Sequence, residues 1–296
     1  MLARLDKIDI TEENIIPAVD REVCRKEEEL FRQCLSRLKH WYDFFARQSE
    51  MLRERYRFEL DENGLLHGLR RIDSSDNPDN PYSDLDWLPF PQFETIADKR
   101  RRACERFSRR IIEHFNEKYH ITVPQPTHNE MESVRFDDPP GYMKYVNMVI
   151  TYLDGQNFRA KAEEEIITAA LHAAQVGNYG KAPTLKGRTI SFYAIAEPYT
   201  STRGRLYLPS YSQGRIDNLC AALVLFADNR LDGGKEIIQG FNADDLHTTI
   251  WYDMAPSRCG QMKIYKNGKV DIRFQTAADA AACFEKLRLY TLIQHK

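Results

Sequence analysis

The sequence predicts a mixed α+β protein, with a helical N-terminal lobe and a C-terminal lobe of antiparallel sheet and packed helices. Two amphipathic helical patterns fall within residues 1–125, and strand-like runs alternate with helical runs over residues 140–296. A stretch rich in proline separates the two regions. We therefore expect two domains with these boundaries.

The N-terminal lobe is predicted to contain two long helices. Apolar residues recur three or four positions apart over residues 23–58, as in an amphipathic helix. The segment DENG at 61–64 would end this helix, and residues 74–91, rich in proline and aspartate, predict an irregular acidic loop. A second helix is predicted over residues 93–119. Its buried face would carry Cys104, Phe107, Ile111 and Phe115.

The rest of the chain contains short apolar runs, some with the period of a strand and some with the period of a helix. Runs at 120–123, 146–153 and 189–196 predict strands. Helical spacing predicts helices at 163–174 and 216–226, and the second is dense enough in apolar residues to be largely buried. These alternating elements favour a lobe built from both strands and helices.

The clearest local pattern is a β-hairpin near the C-terminus. Alternating runs at 262–265 and 270–274 flank Asn267-Gly268, a pair that favours a two-residue type I′ turn. Thr276 then offers a cap hydroxyl with a carboxylate three residues on, which predicts a helix start. We expect this helix to pack back on the hairpin. Its inward face would carry Ala280, Cys283, Phe284 and Leu287.

Charge and cysteine content limit the classes of function. The chain has 42 Lys and Arg against 44 Asp and Glu, so any binding of a polyanion must be local. Its six cysteines form no CxxC pair and no zinc-like spacing, which is typical of a reducing compartment. Charges break the first ten residues, and no apolar run approaches the ~20 residues of a membrane span. We expect a cytoplasmic protein without a membrane partner.

Two C-terminal segments resemble a known family. The segments are 216–233 (IDNLCAALVLFADNRLDG) and 263–274 (KIYKNGKVDIRF). They look like the C-terminal part of an uncharacterised family carried by bacterial plasmids, integrative elements and phages, sometimes fused to adenine-specific DNA methyltransferases. The matched residues are Asp217, Leu219, Asp232, Gly233, Tyr265, Lys266, Asn267, Gly268, Arg273 and Phe274. The resemblance implies a role in mobile-element DNA biology and no defined reaction.

No methyltransferase signature accompanies the resemblance. The closest approach to the adenine-methylase motif is Asp138-Pro139-Pro140-Gly141. Glycine stands there in place of the aromatic residue that would stack on a flipped base. Dinucleotide-type and Walker-type glycine loops, a nucleophile elbow, a His-Glu-x-x-His helix and a Glu-x-Lys nuclease core are also missing from the sequence. We predict no cofactor.

The second predicted helix has a strongly basic side. Five cations fall on a common side of it at helical spacing. They are Lys99, Arg102, Arg106, Arg109 and Arg110. A row of guanidinium groups can engage several phosphates, which is what sequence-independent nucleic-acid binding needs. The alternative is a solvated helix face, paired with the acidic loop.

Two His-x-Thr patterns suggest an enzyme. They are His120 with Thr122 and His247 with Thr249. In 2H phosphoesterases, paired motifs of this kind on adjacent strands supply one imidazole as base, one as acid and hydroxyls for the phosphate. The resemblance is confined to these short patterns, and their separation in sequence is long for that fold. Chance occurrence is the alternative.

Two further patterns have a structural and a functional interpretation. Aspartates at 73–86 could bind a hard cation, but they lack calcium-loop spacing, so a surface loop is preferred and no metal site is predicted. Residues 181–215 interleave cations with aromatics, as single-strand-binding surfaces do, or as the edge of a core does.

Three functions follow from these patterns. The leading hypothesis is a mobile-element accessory protein that associates with DNA or RNA. The alternatives are a 2H-like phosphoesterase and a protein-interaction module, such as an inhibitor of a host defence system that binds a host or phage protein. The sequence does not decide whether the chain is an enzyme.

Overall fold

The structure is a computed structural model that describes residues 16–50, 56–60, 66–71, 90–127, 135–175, 181–202 and 204–293. The α-helices are α1 (Ala18–Glu50), α2 (Phe90–Tyr119), α3 (Tyr142–Leu153), α4 (Phe158–Gln175), α5 (Ser210–Asp228) and α6 (Ala277–Lys286). Short 3₁₀ helices lie at Lys235–Ile237 and Leu289–Ile293. The strands are β1 (Tyr56–Leu60), β2 (Leu66–Arg71), β3 (Thr184–Lys186), β4 (Thr189–Phe192), β5 (Tyr199–Thr200), β6 (Leu206–Tyr207), β7 (Tyr252–Asp253), β8 (Cys259–Ile264) and β9 (Val270–Phe274). This content is the mixed α+β fold that the sequence predicts.

The chain divides into two compact units. The first comprises residues 1–118 and 122–155, and the second comprises residues 119–121 and 156–296. The first unit contains the helices α1 to α3 and the β1–β2 pair. The second contains the remaining helices and a five-stranded sheet.

The first unit is built on an antiparallel pair of long helices. Asp20, in the first turn of α1, contacts His114 near the end of α2 at 2.8 Å. Further along, the Phe31 and Phe107 rings stack with centroids 4.3 Å apart. Helix α3 packs against the pair, since Tyr145 meets Phe107 edge-on at 5.5 Å. The predicted apolar face of α2 is buried as expected. Cys104, Phe107, Ile111 and Phe115 are all at most 3% exposed.

The prediction that the first helix reaches residue 58 is wrong. Helix α1 ends at Glu50, and β1 pairs antiparallel with β2, with Phe58 opposite Leu69. The reason lies in YRFEL, where aromatic and apolar residues alternate with charged ones at the strand period of two. The DENG segment and most of the predicted acidic loop lie outside the described residues. The last two loop positions, 90 and 91, instead begin α2.

Two predicted strands are also wrong. Residues 120–123 form a turn and coil, because the Asn116 side chain occupies both backbone groups of Val123, at 3.0 and 3.1 Å. Residues 146–153 belong to α3, whose buried Val146, Val149 and Leu153 are spaced three and four apart. A short apolar run cannot be assigned to strand or helix by periodicity alone.

The second unit is a sheet covered by helices on one side. The strand order is β3-β4-β9-β8-β7, and every neighbouring pair is antiparallel. The predicted strand at 189–196 is confirmed only over Thr189–Phe192. The helices predicted at 163–174 and 216–226 are confirmed within α4 and α5, and α5 is largely buried. The shared core contains Ile190, Phe192, Leu219, Leu223, Met262, Val270, Ile272 and Phe274.

The predicted hairpin is confirmed, but its turn is of another type. Ile264 pairs with Val270 in the expected register. Tyr265 and Lys269 close a three-residue loop in which the Gly268 amide donates to the Tyr265 carbonyl at 2.9 Å. Only Gly268 has a positive φ in this loop, +82°, which is a type I turn with a G1 bulge rather than type I′. The Ala196 amide donates to the Gly268 carbonyl at 3.2 Å, so this turn contacts the chain after β4.

The helix start after the hairpin is confirmed. The Thr276 hydroxyl accepts from the Asp279 amide at 3.0 Å and donates to the Asp279 carboxylate. Helix α6 contacts β3, β4 and β9, so it packs back on the sheet as expected. Its predicted inward residues Ala280, Cys283, Phe284 and Leu287 are all at most 8% exposed.

The contact at Gly268 predicts a large cost for a methyl group there. A Cβ on Gly268 would lie 2.1 Å from the Ala196 carbonyl oxygen, whereas one on Gly187 (φ +55°) would meet open space. We expect G187A to lower the free energy of unfolding by about 1–2 kcal/mol, the cost of left-handed backbone. G268A adds overpacking of about 1–3 kcal/mol, so its total is about 2–5 kcal/mol. Urea denaturation of both variants measures this, and equal losses would contradict the contact.

Candidate functional site

In the part of the second unit that the structure describes, the core and its helices pack on one side of the sheet. Alternation along β9 sends Val270, Ile272 and Phe274 into the core and leaves Asp271 and Arg273 on the opposite side. We call this opposite side the outer face. Cross-strand pairing adds residues of β4 and β8 to it. Its members at the sheet centre are Ser191, Asp271, Arg273, Gln261 and Lys263.

Large aromatic residues share the outer face with cations. The Arg273 guanidinium lies 4.1 Å from the centre of the Trp251 ring. The Lys263 ammonium lies 5.1 Å from the Tyr265 ring and 5.9 Å from the Trp251 ring. The Lys269 ammonium also lies 5.1 Å from the centre of the Tyr265 ring. These distances are within the range of cation–π attraction, so the face is a continuous network of rings and cations.

A separate ring and cation lie at the far edge of the sheet. Thr184 on β3 pairs with Ser191 and therefore shares its side of the sheet. The Thr184 and Tyr193 hydroxyls are 3.3 Å apart, which brings the Tyr193 ring to the same face. Lys181 lies 5.6 Å from that ring. Rings and cations thus occur from the β7 side of the sheet to the β3 side.

A buried carboxylate holds the centre of the outer face in place. Asp271 is 6% exposed and accepts hydrogen bonds from Ser191 at 2.6 Å and from Tyr265 at 2.9 Å. The Lys269 ammonium lies 2.9 Å from the same carboxylate. Burial and then the Asp271 hydrogen bond raise the pKa of Tyr265, so its hydroxyl stays a donor at neutral pH. The hydroxyl of Tyr265 is therefore held by Asp271, which fixes the orientation of the ring.

The first unit has a second candidate surface, an apolar groove between α1 and α2. Its volume is about 1010 Å³. The apolar lining consists of Leu30, Phe31, Leu38, Trp41, Phe45, Ile96, Ala103 and Phe107. Leu30 and Trp41 are 61% and 53% exposed, which is unusual for residues of this size.

The basic side of α2 forms one wall of this groove. Lys99, Arg102, Arg106, Arg109 and Arg110 are all exposed, and all except Arg109 line the groove. Arg102 pairs with Asp98 at 2.7 Å, and Arg110 pairs with Glu27 at 2.8 Å. The sequence-predicted phosphate-binding row is thus a row of cations beside an apolar surface.

The His-x-Thr residues do not lie on strands. His120 is the left-handed residue (φ +56°) that follows α2, and Thr122 lies in coil, with its hydroxyl 3.1 Å from that of Tyr152. His247 and Thr249 lie in the loop before β7. The 2H arrangement requires both motifs on adjacent strands, and this geometry is not present in the described residues.

The tyrosine-rich segment at 181–215 also forms an exposed cluster. The Tyr211 hydroxyl donates to the Glu197 carboxylate at 2.9 Å, and it lies 3.2 Å from the Tyr199 hydroxyl. The Tyr211 bond, followed by that from Arg215, holds the pKa of Glu197 below its usual range. Tyr211, Tyr199, Glu197 and Arg215 are thus bonded to one another, which favours a structural role for these four residues.

Metal and membrane sites receive no support. Among the residues that the structure describes, no group of three His, Cys, Asp or Glu side chains could hold a metal ion. None of the described helices has both the length and the apolarity that crossing a bilayer requires. Comparison with family models, with curated proteins and with solved structures finds no match for this chain.

Sequence reasoning missed most of the outer face. Tyr265 and Arg273 lie in the predicted hairpin, and alternation alone places them opposite its buried residues. Trp251 could not be found this way, because β7 contains only two residues and pairs with a strand that follows a turn. The sequence did contain a partial signal for the outer face. Trp251 directly precedes a strand, and Lys263 and Arg273 stand at alternate positions of the hairpin.

The groove contains a thiol that reports on its accessibility. Cys34 lines the groove and is the exposed one of the six cysteines, all of which are described. Burial raises the pKa of the other thiols, to about 12 for Cys24 and Cys259 and about 11 for Cys104. We expect a disulfide reagent to modify one thiol per native chain, since the thiolate is the reactive form. Cys34→Ser should abolish this fast phase, and a second fast thiol would contradict the burial of the other five cysteines.

Proposed function

We propose that this chain binds single-stranded nucleic acid and that the outer face is the binding surface. The observation that carries the proposal is that the Trp251, Tyr265 and Tyr193 rings lie on one side of the sheet, each beside a lysine or an arginine. Such a combination supplies the two things a single strand requires, flat rings for its bases and cations for its phosphates.

The shape of the surface favours a single strand over a duplex. Duplex bases are stacked on one another and cannot reach rings on a flat sheet, whereas unpaired bases can be spread over it. The strands from β4 to β7 span about 14 Å at the usual inter-strand spacing. Four-stranded RNA-binding sheets stack two or three bases on a surface of this kind.

The chemistry of the individual residues supports the same proposal. Arg273 presents a guanidinium plane over Trp251, and a base can stack on such a plane as well as on a ring. Lys263 and Lys269 flank the Tyr265 ring, where they can contact the phosphates on either side of a stacked base. The Asp271 carboxylate is paired with the Lys269 ammonium at 2.9 Å, so its negative charge is offset within the outer face.

Nucleic-acid binding agrees with the resemblance of the C-terminal segments to a mobile-element family. Tyr265 and Arg273 belong both to the residues that carry the resemblance and to the outer face. A role in mobile-element DNA biology is part of the proposal, and it includes no chemical reaction. None of the described features favours the phosphoesterase alternative.

The proposal predicts preferential binding of single strands. We expect a labelled single strand of about 12 nucleotides to bind at low salt and the matching duplex to bind at least about tenfold more weakly. Affinity should fall steeply with salt, because bound phosphates release counterions. Fluorescence anisotropy with DNA and RNA strands measures this. Tighter binding of the duplex, or none of any strand, would overturn the proposal.

Four variants locate the binding surface. Trp251→Ala and Arg273→Gln should each weaken binding, the first about 5- to 150-fold, since a stacked ring contributes about 1–3 kcal/mol per base. Arg230→Gln is the matched control, because Arg230 is exposed, pairs with Asp232 and takes part in none of the outer-face contacts. Reversal of Arg102, Arg106 and Arg109 to Glu tests the basic helix. Loss of binding in this variant alone would place the nucleic acid on α2.

A further inference from the structure

We propose that the groove between α1 and α2 binds an acidic amphipathic helix of a protein partner. This inference is independent of the proposed nucleic-acid binding, because it concerns other residues in the other unit. Helix α3 packs against one side of the α1–α2 pair, through Tyr145 on Phe107 and the Tyr142 amide on Glu28. The lining of the groove shares Phe107 with this contact but includes neither Glu28 nor any residue of α3.

The groove has the dimensions of a helix site. Its α1 lining extends from Glu27 to Phe45, which is about 27 Å at 1.5 Å per residue. The two walls are antiparallel helices, and the stacked rings of Phe31 and Phe107 lie between them as a floor. A third helix can lie along such a pair with its apolar ridge between the two, at the usual 8–10 Å from each axis.

The floor favours protein over nucleic acid. Its two central rings, Phe31 and Phe107, are stacked on each other and at most 5% exposed, so they offer little surface to a base. Beside them the groove contains the aliphatic side chains of Leu30, Leu38 and Ile96. Leu30 and Trp41 are more than half exposed, and contiguous apolar surface of this kind is typical of a protein-interaction site. An apolar helix face with residues spaced three and four apart would remove these side chains from water.

The charged residues that line the groove indicate the charge of the partner. Five cations line the groove, against the single carboxylate of Glu27. Arg110 is neutralised by that carboxylate and Arg102 by Asp98, but the described residues supply no ion pair to Lys99 or Arg106. Carboxylates on both flanks of the apolar ridge would complement this excess and exclude basic helices.

The direct test uses synthetic peptides and the Cys34 thiol. The probe is an amphipathic peptide of about 18 residues, with leucine at helical spacing and glutamate on both flanks. It should bind and slow the modification of Cys34 in the native chain. A scrambled peptide of the same composition and a peptide with lysine for glutamate should do neither. Failure of the acidic peptide, or equal protection by all three, would overturn the proposal.

Substitutions of groove residues provide a second test of the proposal. Leu30→Glu should weaken binding of the acidic peptide at least about tenfold, as truncation of a central contact does. Arg106→Gln should also weaken it, whereas Lys26→Gln, on an exposed part of α1 outside the groove, should not. Leu30 is exposed, so its variant should keep the native circular dichroism. Unchanged affinity in both groove variants would contradict the site.

Three other occupants of the groove give different results. A single-stranded oligonucleotide that protects Cys34 would show a nucleic-acid site there. Concentration-dependent dimers that Leu30→Glu dissolves would show a contact between two copies of the chain. A Cys34 that is unreactive in the free protein would show that the chain itself fills the groove. Each result would overturn the proposal, and none of them changes the predictions for Trp251 and Arg273.

Discussion

The second unit depends on the position of β9 between β4 and β8. Because β9 has neighbours on both sides, its alternation fixes two surfaces at once, a core of Val270, Ile272 and Phe274 and an outer face that includes Asp271 and Arg273. A shift of one residue in register would exchange the two sets. The Gly268 turn and its contact with Ala196 hold that register, and the proposed binding surface follows from it.

The two candidate surfaces use cations in different ways. On the outer face, Arg273 and Lys263 lie over aromatic rings, so charge and stacking surface coincide. In the groove, the cations of α2 lie beside an apolar floor, so they favour a negatively charged partner on it. Since 42 cations and 44 carboxylates nearly cancel over the chain, each surface depends on local charge, and binding should respond to single substitutions there.

The sequence predicted the elements whose information is local. The hairpin and the cap at Thr276 depend on a few adjacent residues, and both are confirmed, although Gly268 alone supplies the left-handed geometry. The run at 146–153 was misassigned because its burial in a helix depends on partners elsewhere in the chain. The outer face could be predicted only in part, since Trp251 joins it through the pairing of β7 with β8. Pairing between distant segments is not encoded in any short window.

Photo-crosslinking of a thymidine-rich single strand tests the central claim most directly, because it reports which side chains the bases touch. After irradiation and digestion, mass spectrometry identifies the peptides that carry a nucleotide. Stacking on the outer face predicts crosslinks at Trp251, Tyr265 or Tyr193, and their loss when unlabelled single strand competes. Crosslinks confined to residues 99–110 of α2 would contradict the account.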